Sequence, residues 1–172
     1  MKQNPKIPIF LLMTIMALVG QADAQRRTTP KPTPTPPPNI QKVEISDAIK
    51  TTTEQVKRLN RFIFILGGVA DGIEKVDEEI RQGKATRAAI DQNDRNKDAV
   101  MQSIRNLRAG IVALEVDFKA KESLRIYSGS VSGITQMMGV AEDQVGDGKV
   151  REAGRTLLMI SERLIDTIAT MP

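Results

Sequence analysis

The sequence of 172 residues contains no histidine, no cysteine and no tryptophan, and its aromatic residues are four Phe and one Tyr. A Ser-His-Asp or Cys-His catalytic site is therefore impossible. Haem ligation, zinc sites and di-iron sites of the Glu-x-x-His type lose their usual ligands for the same reason. An enzyme would have to work with carboxylates and lysines alone. We predict no catalytic residue, no metal site and no cofactor, and we expect the protein not to be an enzyme.

The lack of cysteine also excludes disulfides and a lipid-anchored cysteine, and it is compatible with either redox compartment. The formal net charge is +4, but the excess of positive charge lies before residue 40. From Ile40 onward there are 20 basic and 20 acidic residues. A nucleic-acid interface needs a basic patch on the domain itself, so nucleic acid is not an expected partner.

Residues 1–24 have the pattern of a secretory signal peptide. A short cationic start is followed by an apolar run over residues 7–20, and Ala22-Asp23-Ala24 matches a small-x-small cleavage site. The alternative is an uncleaved membrane anchor, although a span needs about 20 apolar residues. We expect a periplasmic or extracellular protein whose mature chain starts at Gln25 and has no membrane span.

Residues 25–45 form a predicted disordered linker rich in threonine and proline. Six of the nine prolines lie in residues 28–39, which favours an extended polyproline II conformation. Such a segment serves as a stalk or a docking strip, or it is a plain disordered tail. We predict that residues 46–172 form the folded domain.

Apolar residues in that domain recur at alternating spacings of three and four, which predicts four amphipathic helices. The first helix follows a capping box at Thr51 and Glu54 and ends near Gln82, before Gly83. The stripes of the four helices are Val56, Leu59, Ile63, Leu66, Ala70, Ile73 and Ile80; Val100, Ile104, Leu107, Ile111, Leu114 and Phe118; Val131, Ile134, Met138, Ala141 and Val145; and Val150, Ala153, Leu157, Ile160, Leu164, Ile168 and Met171. Short connections at Gly83 and residues 146–148 favour antiparallel neighbours. The predicted fold is an all-α, coiled-coil-like antiparallel bundle of about four helices, two long and two shorter, after the disordered Pro-rich arm.

The sequence leaves three local features undecided. Residues 85–90 suit a helix, whereas the polar residues 91–98 form either an exposed helical turn beyond the bundle or a loop in which Asp94 or Asn96 caps the next helix. The second helix ends near Tyr127 or continues with a kink into the third. Gly68 and Gly72 allow a neighbouring helix to approach closely, or the Gly67-Gly68 pair kinks the first helix.

Two acidic rows share helix faces and are candidates for binding a hard cation: Asp71, Glu74 and Glu78, and Asp91, Asp94 and Asp98. A solvated charged surface is the simpler interpretation of such rows.

The first helix carries more apolar residues than one buried stripe requires. Either this helix is central and wrapped by the others, or its extra apolar residues bind a partner. In the second case Phe62, Phe64 and Ile65 are the candidate partner-binding residues. We expect a non-catalytic interaction or scaffolding module of the cell envelope, acting through self-association or a protein partner. The alternative is a carrier of a small apolar ligand between the helices, which predicts a closed surface around an apolar cavity.

Overall fold

The computed structural model describes residues 37–172, and within them the protein is an all-α bundle. The two long helices are α1 (Pro38–Arg81) and α2 (Arg87–Ala120), and the two shorter ones are α4 (Ile134–Gly146) and α5 (Val150–Ala169). A 3₁₀ helix (Glu122–Tyr127) and the single-turn helix α3 (Ser128–Val131) connect α2 to α4. The prediction of two long and two shorter helices is confirmed. The predicted signal peptide and the first part of the predicted linker lie outside the described residues.

The four main helices form a ring in which each neighbouring pair is antiparallel. α1 contacts α2 and α5, and α4 contacts the same two helices. Later residues of one helix meet earlier residues of the next, as in the pairs Gln55–Gly110, Asp77–Asn93, Asn60–Ser161, Glu74–Arg151, Arg105–Glu142 and Glu115–Thr135. α1 is therefore one corner of the ring, and the interpretation of α1 as a central, wrapped helix is wrong.

The core consists of the inward stripes of these helices. The fully buried side chains include Leu59, Ile104, Phe118, Met138, Leu157 and Leu164. The predicted stripes on α2, α4 and α5 are buried or packed against the core at every position. Ile80 is the exception among the stripe residues of α1. It lies in the last turn of the helix and is 36% exposed.

α1 begins at Pro38, eight residues before the boundary predicted at residue 46. The proline run that suggests an extended linker also suits a helix start, since proline at the first helical position already has a helical φ and needs no N–H acceptor. Tertiary contact then holds the first turns, because Ser123 of the 3₁₀ helix donates a hydrogen bond to Glu44.

The predicted capping box at Thr51 and Glu54 is wrong, because both residues lie inside α1. Glu54 instead accepts a hydrogen bond from Lys57, at 2.9 Å between Nζ and Oε1. The Thr-x-x-Glu pattern depends on four residues alone. The helix continues through it because α1 packs against other elements both before and after these residues.

The turn between α1 and α2 follows the predicted stop at Gly83, whose φ is +66°. α2 begins directly afterwards, since Thr86 Oγ1 accepts a hydrogen bond from the Ala89 amide at 3.2 Å. Residues 91–98 are therefore helical, but they belong to α2 and bury Asn93, so they do not form the expected exposed turn beyond the bundle. Asp94 and Asn96 lie inside α2 and cap nothing.

α2 ends at Ala120, earlier than the predicted end near Tyr127. Lys121 takes an extended conformation (φ −86°, ψ 125°), and the following 3₁₀ helix places Leu124 in the core. The next break is at Gly133, whose φ of +87° is easily reached only by glycine. The predicted third helix therefore divides into α3 and α4, with Val131 and Ile134 buried on either side of the break.

Candidate binding face on the first helix

The middle of α1, residues 62–70, carries no charged side chain, although only one side of this segment is buried. We call it the charge-free segment. Leu66 and Ala70 point inward and are almost fully buried. Away from that buried side, Phe64 is 85% exposed, Ile65 54% and Val69 39%. We call the surface formed by Phe64, Ile65, Gly68, Val69 and Gly72 the outer face of α1.

The three residues predicted as partner-binding occupy two different positions. Phe64 and Ile65 lie on the outer face, whereas Phe62 is half-buried and packs against the core. A large exposed apolar group next to others of its kind is a common mark of an interaction site, whereas a single one is ordinary. The structure brings Phe64 and Ile65 together on one surface and leaves Phe62 at its edge.

The glycines of α1 create a hollow beside the Phe64 ring. A Cβ atom built at Gly67, Gly68 or Gly72 would meet no heavy atom within 4 Å outside its own part of the helix. The predicted close approach of a neighbouring helix at Gly68 and Gly72 is therefore not made within residues 37–172. Each interior glycine lowers helix stability by about 1 kcal/mol relative to alanine. No packing within the described part of the chain offsets that loss at Gly68 and Gly72.

Gly110 is the glycine that does allow close helix contact. A Cβ atom at this position of α2 would lie 2.5 Å from Gln55 Oε1 of α1, so glycine leaves room for the Gln55 side chain. This close contact was not predicted from the sequence. The available signal was its position inside the strong apolar pattern of α2, where a glycine needs a packing reason.

An open groove between α1 and α5 lies next to the outer face. It has a volume of about 320 Å³ and is lined by Ile63, Leu66, Gly67, Ala70, Gly154 and Leu158. Arg151 and Arg155 lie at its edge. Because a ligand pocket normally encloses most of its ligand, an open groove suits a small molecule less well than a protein side chain.

The acidic residues of the row on α1 form ion pairs with basic side chains. Arg151 of α5 binds Asp71 at 2.6 Å and Glu74 at 2.7 Å, and the hydrogen bond to Asp71 raises the pKa of the Arg151 guanidinium. Gln82 and Arg81 donate hydrogen bonds to Glu78 and lower the pKa of that carboxyl group. Within residues 37–172, no group of three or more His, Cys, Asp or Glu residues is arranged to hold a metal ion.

A buried polar cluster between α1 and α2 was also not predicted from the sequence. Asn93 Nδ2 donates to Asp77 Oδ1 at 2.6 Å, and Lys97 Nζ lies 2.6 Å from the same oxygen. Asn93 and Asp77 are buried, although residues 91–98 are all polar in the sequence. One signal pointed to this cluster, since Asp77 lies four residues after Ile73 on the inward stripe of α1.

None of the helices within residues 37–172 has the length and apolar character that crossing a membrane requires. Comparisons with protein-family models, curated proteins and solved structures found nothing that matches this chain. The assignment of a function therefore depends on the residues described above.

Proposed function

We propose that this chain is an exported, non-catalytic interaction or scaffolding module of the cell envelope, and that it binds a protein through the outer face of α1. The observation that best supports this proposal is the 85% exposure of Phe64 within a charge-free helical segment. Aromatic side chains that fill a pocket at the centre of an interface contribute a large share of binding energy. The neighbouring Ile65 and Val69 extend the apolar area around the ring.

The location outside the cytoplasm rests on residues 1–24 alone. Their cationic start, short apolar run and Ala22-Asp23-Ala24 site support export through a cleaved signal peptide. The proline-rich stretch that follows would then act as a spacer between the helical domain and a surface or partner bound at the N-terminal part of the chain.

The absence of histidine and cysteine supports a non-catalytic role, because the common nucleophile and base pairs are excluded. Perturbed pKa values cluster at active sites. Glu54, Glu78 and Arg151 have shifted pKa values, and all three form exposed ion pairs. The shifts therefore follow from ordinary surface pairing.

The second candidate function is a carrier of a small apolar ligand. The groove between α1 and α5 favours it, since Gly67 and Gly154 leave space there among apolar side chains. The same groove is open to solvent, which supports the carrier less well than the interaction module.

The test is affinity capture from the native cell envelope with the tagged mature chain, followed by mass spectrometry of bound proteins and small molecules. Wild type, Phe64→Ala and Ile126→Ala are compared, since Ile126 is 80% exposed on the 3₁₀ helix and serves as a matched control. We expect one protein to be retained by wild type and Ile126→Ala and lost by Phe64→Ala. Equal retention by all three variants, or recovery of a small apolar molecule alone, would contradict the proposal.

A further inference from the structure

We infer that the partner on the outer face of α1 is a second copy of this chain, with the two α1 helices packed antiparallel. The inference rests on the proposed use of that face for binding and names its occupant. It follows from two features of α1: a ring and a hollow on one surface, and opposite charge on the two sides of the charge-free segment.

The ring and the hollow make the outer face complementary to itself. Phe64 projects from the face, and Gly68 and Gly72 lie one and two turns further along the same side. In a two-fold symmetric dimer each surface patch meets its own copy. The Phe64 ring of one chain can then lie in the Gly68–Gly72 hollow of the other, and the reverse contact forms at the same time.

The charges of α1 specify the orientation of the two helices. Residues 50–61 carry four basic side chains and one acidic side chain. The exposed or half-exposed charges of residues 71–81 are four acidic and two basic, and residues 62–70 carry none. Antiparallel pairing about the charge-free segment places the basic part of each helix against the acidic part of the other. Parallel pairing would place like charges together, which disfavours a complex.

Some of these charges are available for such pairing. Arg58 and Arg61, before the charge-free segment, and Glu79, after it, form no ion pair within the described residues. Asp71 and Glu74 are engaged with Arg151 of the same chain, so they contribute less.

The contact is of modest size. Residues 50–81 extend about 48 Å along the helix axis, and a contact roughly 10 Å wide gives about 500 Å² per copy. This area lies below the roughly 800 Å² per partner of a standard stable interface, which is typical of weak or transient association. We therefore expect a reversible monomer–dimer equilibrium that depends on concentration.

Sedimentation equilibrium of the mature chain, from about 5 to about 500 µM, measures this equilibrium. We expect a dimer at the upper concentrations, at least about tenfold weaker association for Phe64→Ala, and no change for Ile126→Ala. Circular dichroism melting of each variant verifies that the monomer stays folded. A wild-type chain that remains monomeric throughout, or a Phe64→Ala variant that dimerises equally well, would overturn the inference. Capture of a different protein that depends on Phe64 would then still support the proposed function, so the two ideas fail separately.

The orientation has its own test, because a chain without cysteine accepts single reporter cysteines. Lys57→Cys and Glu79→Cys chains are mixed and treated with a bifunctional thiol reagent of roughly 10–15 Å reach, which exceeds the few ångströms that a direct disulfide spans. In the antiparallel dimer residue 57 lies near residue 79 of the other copy, whereas the two residues 57 are about 30 Å apart along the axis. We expect cross-links between the two different variants and few within one variant. Predominant 57–57 and 79–79 links would show a parallel dimer and contradict the antiparallel arrangement.

Discussion

Asp77 of α1 and Lys97 of α2 form an ion pair in which Oδ1 and Nζ are 2.6 Å apart, and their side chains are only 10% and 20% exposed. Asn93 donates a hydrogen bond to the same carboxylate. The pair joins α1 to α2 near the turn between them. Removal of one member of a buried pair leaves a charge without compensation, which costs more than the pair contributes.

We therefore expect Lys97→Met to lower the free energy of unfolding by about 3 kcal/mol, and the double variant Asp77→Leu/Lys97→Met to lower it by less than the single one. Urea denaturation of the four members of this double-mutant cycle measures the difference. Arg81→Met is the matched control, since its exposed ion pair with Glu78 contributes about 0–1 kcal/mol. Similar losses for Lys97→Met and Arg81→Met would show that the buried pair has no special role.

Gly148 is the glycine on which the turn between α4 and α5 depends. Its φ is +77°, and an added Cβ atom would lie 2.5 Å from Asp77 Oδ2. We expect Gly148→Ala to reduce the free energy of unfolding by about 1–3 kcal/mol, because it combines backbone strain with a clash at the buried carboxylate. Gly146→Ala, two residues earlier at the end of α4, should be neutral or slightly stabilising, since nothing lies within 4 Å of its added Cβ. Thermal melting of both variants compares them, and equal loss would contradict the assignment.

Ile104 and Leu164 test the core, because both side chains are fully buried. Ile104→Asp and Leu164→Asp each place a charge without a partner in the bundle interior, which is among the changes that cause large losses of stability. We expect both variants to be unfolded or strongly destabilised in circular dichroism. Val116→Asp on the exposed side of α2 should change stability by less than about 1 kcal/mol. Wild-type melting of the two core variants would show that these stripes are not the core.

Phe118 and Phe64 allow the same substitution in two opposite environments. Phe118 is fully buried and Phe64 is 85% exposed. Phe118→Ala should cost about 3–5 kcal/mol of unfolding free energy, whereas Phe64→Ala should stay within about 1 kcal/mol of wild type. Denaturation at low protein concentration, where association does not contribute, gives both values. A large loss for Phe64→Ala under those conditions would place Phe64 in the core of the monomer and remove the main support for a binding face.

The predicted export is tested by the mature N-terminus of the protein in its native host. Cell fractionation should place it outside the cytoplasm, and N-terminal sequencing should begin at Gln25, after Ala22-Asp23-Ala24. A cytoplasmic protein that still begins at Met1 would exclude the signal peptide.

The helices could be predicted from sequence where the apolar period alone decides. Ile104, Ile111 and Phe118 are spaced seven residues apart on α2, and a helix is the conformation that places all three on one buried side. Helix ends were less predictable, because they depend on single residues. Thr51 and Glu54 formed a plausible cap inside α1, and nothing local at Lys121 indicated the break there.

Part of the candidate binding face was also visible in the sequence. Phe64 fell outside the apolar stripe predicted for α1, so its exposure could be expected. The position of Phe62 could not, because a half-buried side chain at the edge of a face depends on how neighbouring helices pack around α1. The hollow at Gly68 and Gly72 was equally undecided, since an approaching helix of the same chain would have filled it.

The sequence by itself determined two properties. The missing histidine and cysteine exclude several classes of site, and the apolar period of each helix gives the all-α character. These properties depend on residue identity and local spacing. Only the tertiary structure decided that α1 is a corner of the ring with one side uncovered, and that Asp77, Asn93 and Lys97 share a buried cluster. Both depend on which helices become neighbours, and that follows from the packing of the whole bundle and from no single segment.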